Sequence, residues 1–166
     1  MNYPLSDVEV ERLTGNKYKV VPYPDLIKYK TINELLGPFG GVVLLYETRP
    51  NYGHYTALFR RDFKTLEQFD SLGFKLDHEL KKIDKKFRIE SNQRALLSKL
   101  ILNSSYEKYI YNENKLQKNK DGINTCGRFV ALRLLFRDLS HKQFINLFKN
   151  IKNKDEYVVY LTENLF

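Results

Sequence analysis

The chain has 166 residues and 19.7 kDa, with 42% hydrophobic and 29% charged residues, a globular composition that excludes disorder and predicts one domain over 1–166. A single Cys excludes a disulfide framework and a cysteine-rich zinc module. The longest apolar run, Val42 to Tyr46, falls far short of the ~20 residues a bilayer demands, so no membrane is expected. Lys+Arg 28 against Asp+Glu 20 gives +8, which invites nucleic acid as a partner without establishing it. Met1 runs directly into Asn2-Tyr3-Pro4-Leu5-Ser6-Asp7, with no basic or apolar leader, so the expectation is a protein that folds in a reducing compartment.

Read in chain order, the pattern is α+β. Ser6 followed by Glu9 is a capping box, predicting a helix over Asp7 to Leu13 stopped by Gly15. Thr31 and Glu34 repeat the device for a short helix ending at Gly37-Pro38. Val42 to Tyr46 is too uniformly apolar for a strand with a wet face, so it is predicted buried. The turn Arg49 to Gly53 leads into a strand over His54 to Arg60, and Leu66 to Asp70 reads as the next. Phe74 to Leu102 is charged and mostly helical in pattern, best over Gln93 to Leu102, and Lys81, Lys82, Lys85 and Lys86 read as a solvated face. Tyr106 to Leu116 alternates as a fourth strand. Cys126 to Leu139 is apolar nearly all round, broken mainly by Arg128, Arg133 and Arg137, and is predicted to be the central buried helix. Ser140 and Gln143 cap the next helix, and the tail Tyr157 to Leu161 fits strand or helix equally.

The chemistry concentrates at few positions. Cys126 sits between Thr125 and Gly127 at the start of the most hydrophobic helix, where free N–H groups and the positive dipole end favour a thiolate. A structural Cys belongs more naturally on a mid-helix core stripe. His54 and Asp70 flank a hairpin; with Arg61-Asp62-Phe63 as the loop, paired residue numbers total 124 and the two stand opposite each other. A carboxylate there holds one ring nitrogen and leaves the other for a thiol proton. A one-residue slip would turn Asp70 to the other face. His78 and His141 are surplus to this set. Zinc-ligand spacings, phosphate cradles and G-x-S-x-G are absent from the sequence, so neither metal nor organic cofactor is expected.

Gly53-His54-Tyr55-Thr56-Ala57-Leu58-Phe59, Phe69-Asp70-Ser71-Leu72-Gly73, Leu116-Gln117 and Thr125-Cys126-Gly127-Arg128-Phe129, in that order, resemble the adenain/SUMO-protease clan of cysteine proteases. The resemblance runs from about Leu5 to Phe148. It implies a papain-like α+β fold with a central mixed sheet packed by a buried helix opening on the Cys. It also implies His54 as general base, Asp70 as its orienter, Cys126 as nucleophile and Gln117 as the oxyanion-hole amide, with Asn92 and Gln93 as fallback amides. Two departures stand out. Tyr55 occupies the place where the family usually has Trp, and the Gln-to-Cys spacing of nine requires Lys118 to Asn124 to bulge.

The resulting expectation is a monomeric cysteine endopeptidase of the viral maturation branch, cleaving capsid or core precursor proteins next to Gly, in the virion and the infected host cell. Non-specific DNA binding through Lys81 to Lys86 and Lys115 to Lys120, on faces away from the catalytic groove, would account for the charge. The alternatives are a protease that deconjugates ubiquitin or a ubiquitin-like modifier, and a basic nucleic-acid-binding module whose 14% aromatic residues stack bases.

Overall fold

The computed structural model describes residues 3–120 and 123–164. Local signals fix the short helices. Ser6 Oγ accepts from Glu9 N to start α1 (Asp7–Leu13), and Gly15 follows at φ 68°. Thr31 Oγ1 accepts from Glu34 N to start α2 (Ile32–Leu36), while Glu34 reaches back to Lys30 N. Each such cap contributes about 1 kcal/mol.

Five strands lie side by side in chain order: β1 (Val20–Pro22), β2 (Gly41–Arg49), β3 (Tyr52–Asp62), β4 (Thr65–Phe69) and β5 (Lys108–Tyr111). The inner pairs are antiparallel and both edge strands run parallel to their neighbours. The sheet is covered on both faces, which explains the uninterrupted apolar run of β2. Val43 and Leu45 join Tyr55, Ala57 and Phe59 against one helical layer, whereas Val42, Leu44 and Tyr46 join Leu58 and Leu66 against another.

The first layer is built on α5 (Cys126–Leu135) with α1, α6 (His141–Asn146) and α7 (Lys154–Asn164). The tail is therefore helical, with Asp155, Val158 and Thr162 as its buried positions. The second layer holds α2, 3₁₀ turns at Tyr23–Lys28 and His78–Lys82, α3 (Lys85–Glu90) and α4 (Leu96–Leu102). No helix among the described residues is long and apolar enough to cross a membrane.

Three predicted elements are shorter in the structure. The fourth strand stops at Tyr111 because the Asn112 side chain replaces the ladder, accepting from Asp70 N and donating to Asp70 O. The helix over Gln93 to Leu102 begins only at Leu96, since Asn92 at φ 58° breaks the path and Gln93 turns onto β2. Helix α5 ends at Leu135 rather than Leu139. Beyond it, Arg133 donates to Phe136 O and Leu139 O, and Arg61 donates to Arg137 O and Leu139 O.

Those two arginines converge on buried Glu67, at 2.6 Å for Arg133 and 3.0 Å for Arg61. Burial lowers the Arg133 pKa, and the Glu67 carboxylate works against that shift. Removing one partner of a buried pair leaves an uncompensated charge, at a cost of about 3–5 kcal/mol. Glu67→Ala is expected to lose stability of that order in urea denaturation; a loss below about 1 kcal/mol would show that the guanidinium groups find water instead.

Candidate active site

His54 opens the buried part of β3, and Asp70 follows the last residue of β4. The hairpin between them has a two-residue turn at 63–64 after a bulge between Arg60 and Asp62, not the predicted Arg61-Asp62-Phe63 loop. Observed pairs such as Ala57↔Phe69 and Arg60↔Leu66 have numbers totalling 126 instead of 124, so His54 and Asp70 are diagonal neighbours, not opposite ones. A slip of two residues keeps every side chain on its face. Asp70 therefore still reaches the ring, with Oδ1 2.8 Å from His54 Nε2.

With Nε2 engaged, Nδ1 is the nitrogen left for Cys126, which lies near enough to help raise the pKa of the ring. Cys126 is the first residue of α5 and is buried. Gly127 beside it is close-packed: a Cβ there would meet Val10 Cγ2 at 3.1 Å and the Tyr55 ring at 3.2 Å. The Tyr55 hydroxyl donates to Asp7 Oδ1 (2.6 Å) and lies within hydrogen-bond distance of Leu5 O (3.1 Å). A cavity of about 30 Å³ opens over the sulfur between Leu5, Gly53, Tyr55 and Gly127.

Gln117 is brought to the same place. Ser71 O accepts from Leu116 N and Gln117 N, and Ser71 Oγ donates to Gln117 Oε1 at 2.6 Å. The amide Nε2 then points toward the chain entering α5, 3.3 Å from Ile123 O. Asp121 and Gly122, in the middle of the expected bulge, lie outside the described residues. Gln93 is no oxyanion amide: its Oε1 accepts from Glu47 N and its Nε2 donates to Glu47 O, both at 2.8 Å.

Four residues at the site had no sequence signal as such. Ser71 and Asn112 fix the turn that carries Asp70. Asp155, from α7, accepts from Thr125 Oγ1 at 2.5 Å and from Lys118 N at 3.1 Å, clamping both ends of the segment between Gln117 and Cys126. Glu79 stands beside the dyad. His54, Asp70 and Glu79 each bring a potential ligand atom within 4.8 Å of one another, the one arrangement of this kind among the described residues. Within this grouping His54 is bonded to Asp70, and Glu79 Oε1 lies 3.2 Å from Lys82 Nζ.

Burial works against a charge on His54, but the Asp70 carboxylate, its hydrogen bond and Cys126 beyond outweigh it and hold the ring well above its usual value near 6.5. A raised folded value means that this charge adds stability fully present below about pH 6.5 and lost as pH rises through the folded value. In an NMR titration the imidazolium of His54 should persist well above pH 6.5, and Asp70→Asn should bring its midpoint down. An unchanged midpoint in Asp70→Asn would remove Asp70 from its role.

No family model matches the sequence. The chain has the fold of the ASFV pS273R protease, with a TM-score of 0.55, 13% identity, and coverage of 100% of this chain and 69% of that one. The α+β, papain-like architecture expected from the sequence is thus the one observed. It is also 43% identical over 140 residues to the uncharacterized protein V9 of Sputnik virophage, covering 84% of this chain and 80% of that one. At that identity and coverage, the chain belongs to the same family as the virophage V9 protein.

Proposed function

We propose that this protein is a cysteine endopeptidase acting through Cys126, His54 and Asp70. The observation that carries the reading is the imidazole held at 2.8 Å by a buried carboxylate, with a helix-opening thiol near enough to help raise its pKa. Cys126 Sγ attacks the scissile carbonyl as His54 holds the thiol proton, which it then gives to the leaving amine. Water, deprotonated by the same ring, hydrolyses the thioester. The oxyanion is met by backbone N–H at Cys126 and by the Gln117 amide. Thr125 would ordinarily cap those N–H groups, but its hydroxyl is spent on Asp155 and no side-chain cap forms.

The small cavity over the sulfur, walled by Gly127, Gly53 and the tethered Tyr55, favours Gly next to the scissile bond. Kinship with a virophage protein and the fold of a viral protease favour capsid or core precursors as substrates.

Cys126→Ala should abolish cleavage of a Gly-containing precursor while leaving thermal unfolding near wild type; residual full activity would end the assignment. Gln117→Ala should lower kcat by ~10²–10³ with KM largely kept, and a near-wild-type kcat would place the oxyanion hole elsewhere.

For the net charge of +8 we propose weak, non-specific DNA attraction that concentrates the enzyme beside packaged genome without changing turnover. Affinity for a duplex should fall with a log–log salt slope near about −0.9 per phosphate neutralised. Failure to bind at ~50 mM salt would leave the charge without this role.

A further inference from the structure

On the His54 side of the sheet, a groove of about 530 Å³ is lined by Leu80, Lys81, Arg88, Ile89, Gln93 and Arg94, among others. It is tied to the catalytic centre at two points. Leu80 and Lys81 directly follow Glu79, whose carboxylate lies against the His54–Asp70 pair. Gln93 is bonded to the backbone of Glu47, which pairs with Gly53, the neighbour of His54. Of the basic residues at 81–86, Lys81 lines this groove, one residue of chain beyond Leu80 and two beyond Glu79.

Three cations line this groove against a single carboxylate, Asp77, which none of them pairs with. Among the described residues no carboxylate pairs with Lys81, Arg88 or Arg94. Asp77 is the one acid lining it, and its oxygens are taken: Oδ1 by the hydroxyls of Tyr23 and Tyr46, Oδ2 by Ser98 N and Oγ. Glu79 is paired with Lys82. Arg88 gives one arm to Leu80 O, while Lys81 and Arg94 are exposed. Beside these charges Ile89 is 67% exposed, so the surface is mixed apolar and cationic. Polypeptide side chains satisfy both characters; a phosphate backbone satisfies one.

We propose that this groove binds an acidic stretch of the substrate polypeptide on the leaving-group side of the scissile bond. This rests on the protease reading above. His54 hands its proton to the leaving amine, so chain that continues past His54 is the part C-terminal to the cut. Acidic residues there would meet Lys81, Arg88 and Arg94, and a neighbouring apolar side chain would cover Ile89. The substrate class is then a precursor in which Gly is followed, beyond the cleavage point, by an acidic segment.

The test is cleavage of a proteome-derived chymotryptic peptide library, which keeps acidic and basic residues internal, by the wild-type protein and by Lys81→Glu/Arg94→Glu, with the cut sites mapped by mass spectrometry. Both residues are exposed and hold no internal partner, so the double variant keeps its fold; thermal unfolding and the rate of Cys126 alkylation by iodoacetamide check this on the same samples. Each exposed charge pair contributes a factor of about two to five. Asp and Glu should accordingly be enriched after the cut for the wild type by at least that factor, and the variant should prefer Lys and Arg there. Cleavage with no acidic preference, or with a preference the variant leaves unchanged, overturns the groove and leaves the protease standing. Slow alkylation of Cys126 without cleavage overturns the protease reading, and the groove with it. Duplex binding that the variant loses, together with a flat peptide preference, assigns the groove to nucleic acid and also overturns the proposal.

Discussion

The site depends on one turn, the four residues from Asp70 to Gly73 that leave the end of β4. Asp70 Oδ1 accepts from Leu72 N and from His54 Nε2, both at 2.8 Å, so the carboxylate that closes the turn is also the one that orients the imidazole. Its backbone is zipped on both sides to Asn112 at the end of β5. Ser71 then uses its carbonyl and its hydroxyl to hold Gln117. Gly73, at φ 77°, ends the turn where a Cβ would lie 2.8 Å from Glu113 O. Asp70 and Ser71 are almost fully buried, where an unpaired polar group is costly. Every hydrogen bond in this set therefore stabilises one geometry, and that geometry serves three candidate roles at once.

The two faces of the sheet divide the work. On the α5 face, Tyr55, Ala57 and Phe59 pack the helix that carries Cys126. On the other face, β3 alternation sends His54 toward the layer that contains Leu80 and Leu97. The helix that carries Cys126 and the His54 side chain therefore lie on opposite faces of the sheet. Tyr55 ties the first face to the start of the chain. Its ring walls Gly127, while its hydroxyl reaches Asp7 and Leu5, fixing the start of α1 beside the cavity.

Much of this was legible in the sequence because it is written in local chemistry or in parity. Ser6, Thr31 and Ser140 announce their helices through caps that involve residues three positions away. The His54–Asp70 pairing survived a wrong loop and a register shifted by two, because facing depends only on odd or even spacing. What escaped was long-range. β1 is three residues ending in Pro22, and it exists because Lys19 O accepts from Val43 N and Glu11 reaches Val20 N. Asp155 reads as an ordinary first-turn acid of α7; only tertiary packing reveals that it faces inward to Thr125 and Lys118. Gln93 looked available as an amide until its pairing with the backbone of Glu47 was seen.

Helix α5 is held at its two ends by opposite means, and the difference is what the proposed function requires of its beginning. At the C-terminal end, Arg133 collects Phe136 O and Leu139 O and pairs with Glu67, so the last carbonyls and the negative dipole end are met by a cation. At the N-terminal end, an acid again faces the dipole, but Asp155 acts through the Thr125 hydroxyl and Lys118 N rather than through the helix's own N–H groups. The residue that would cap the helix is thereby committed elsewhere. Lys118 and Thr125 are thus both tied to α7, and Thr125 places no side-chain cap on the first N–H groups of α5. Donors held in place before charge develops are the preorganisation that an acyl-transfer centre needs, and under the proposed function this tie to a neighbouring helix leaves them for the substrate.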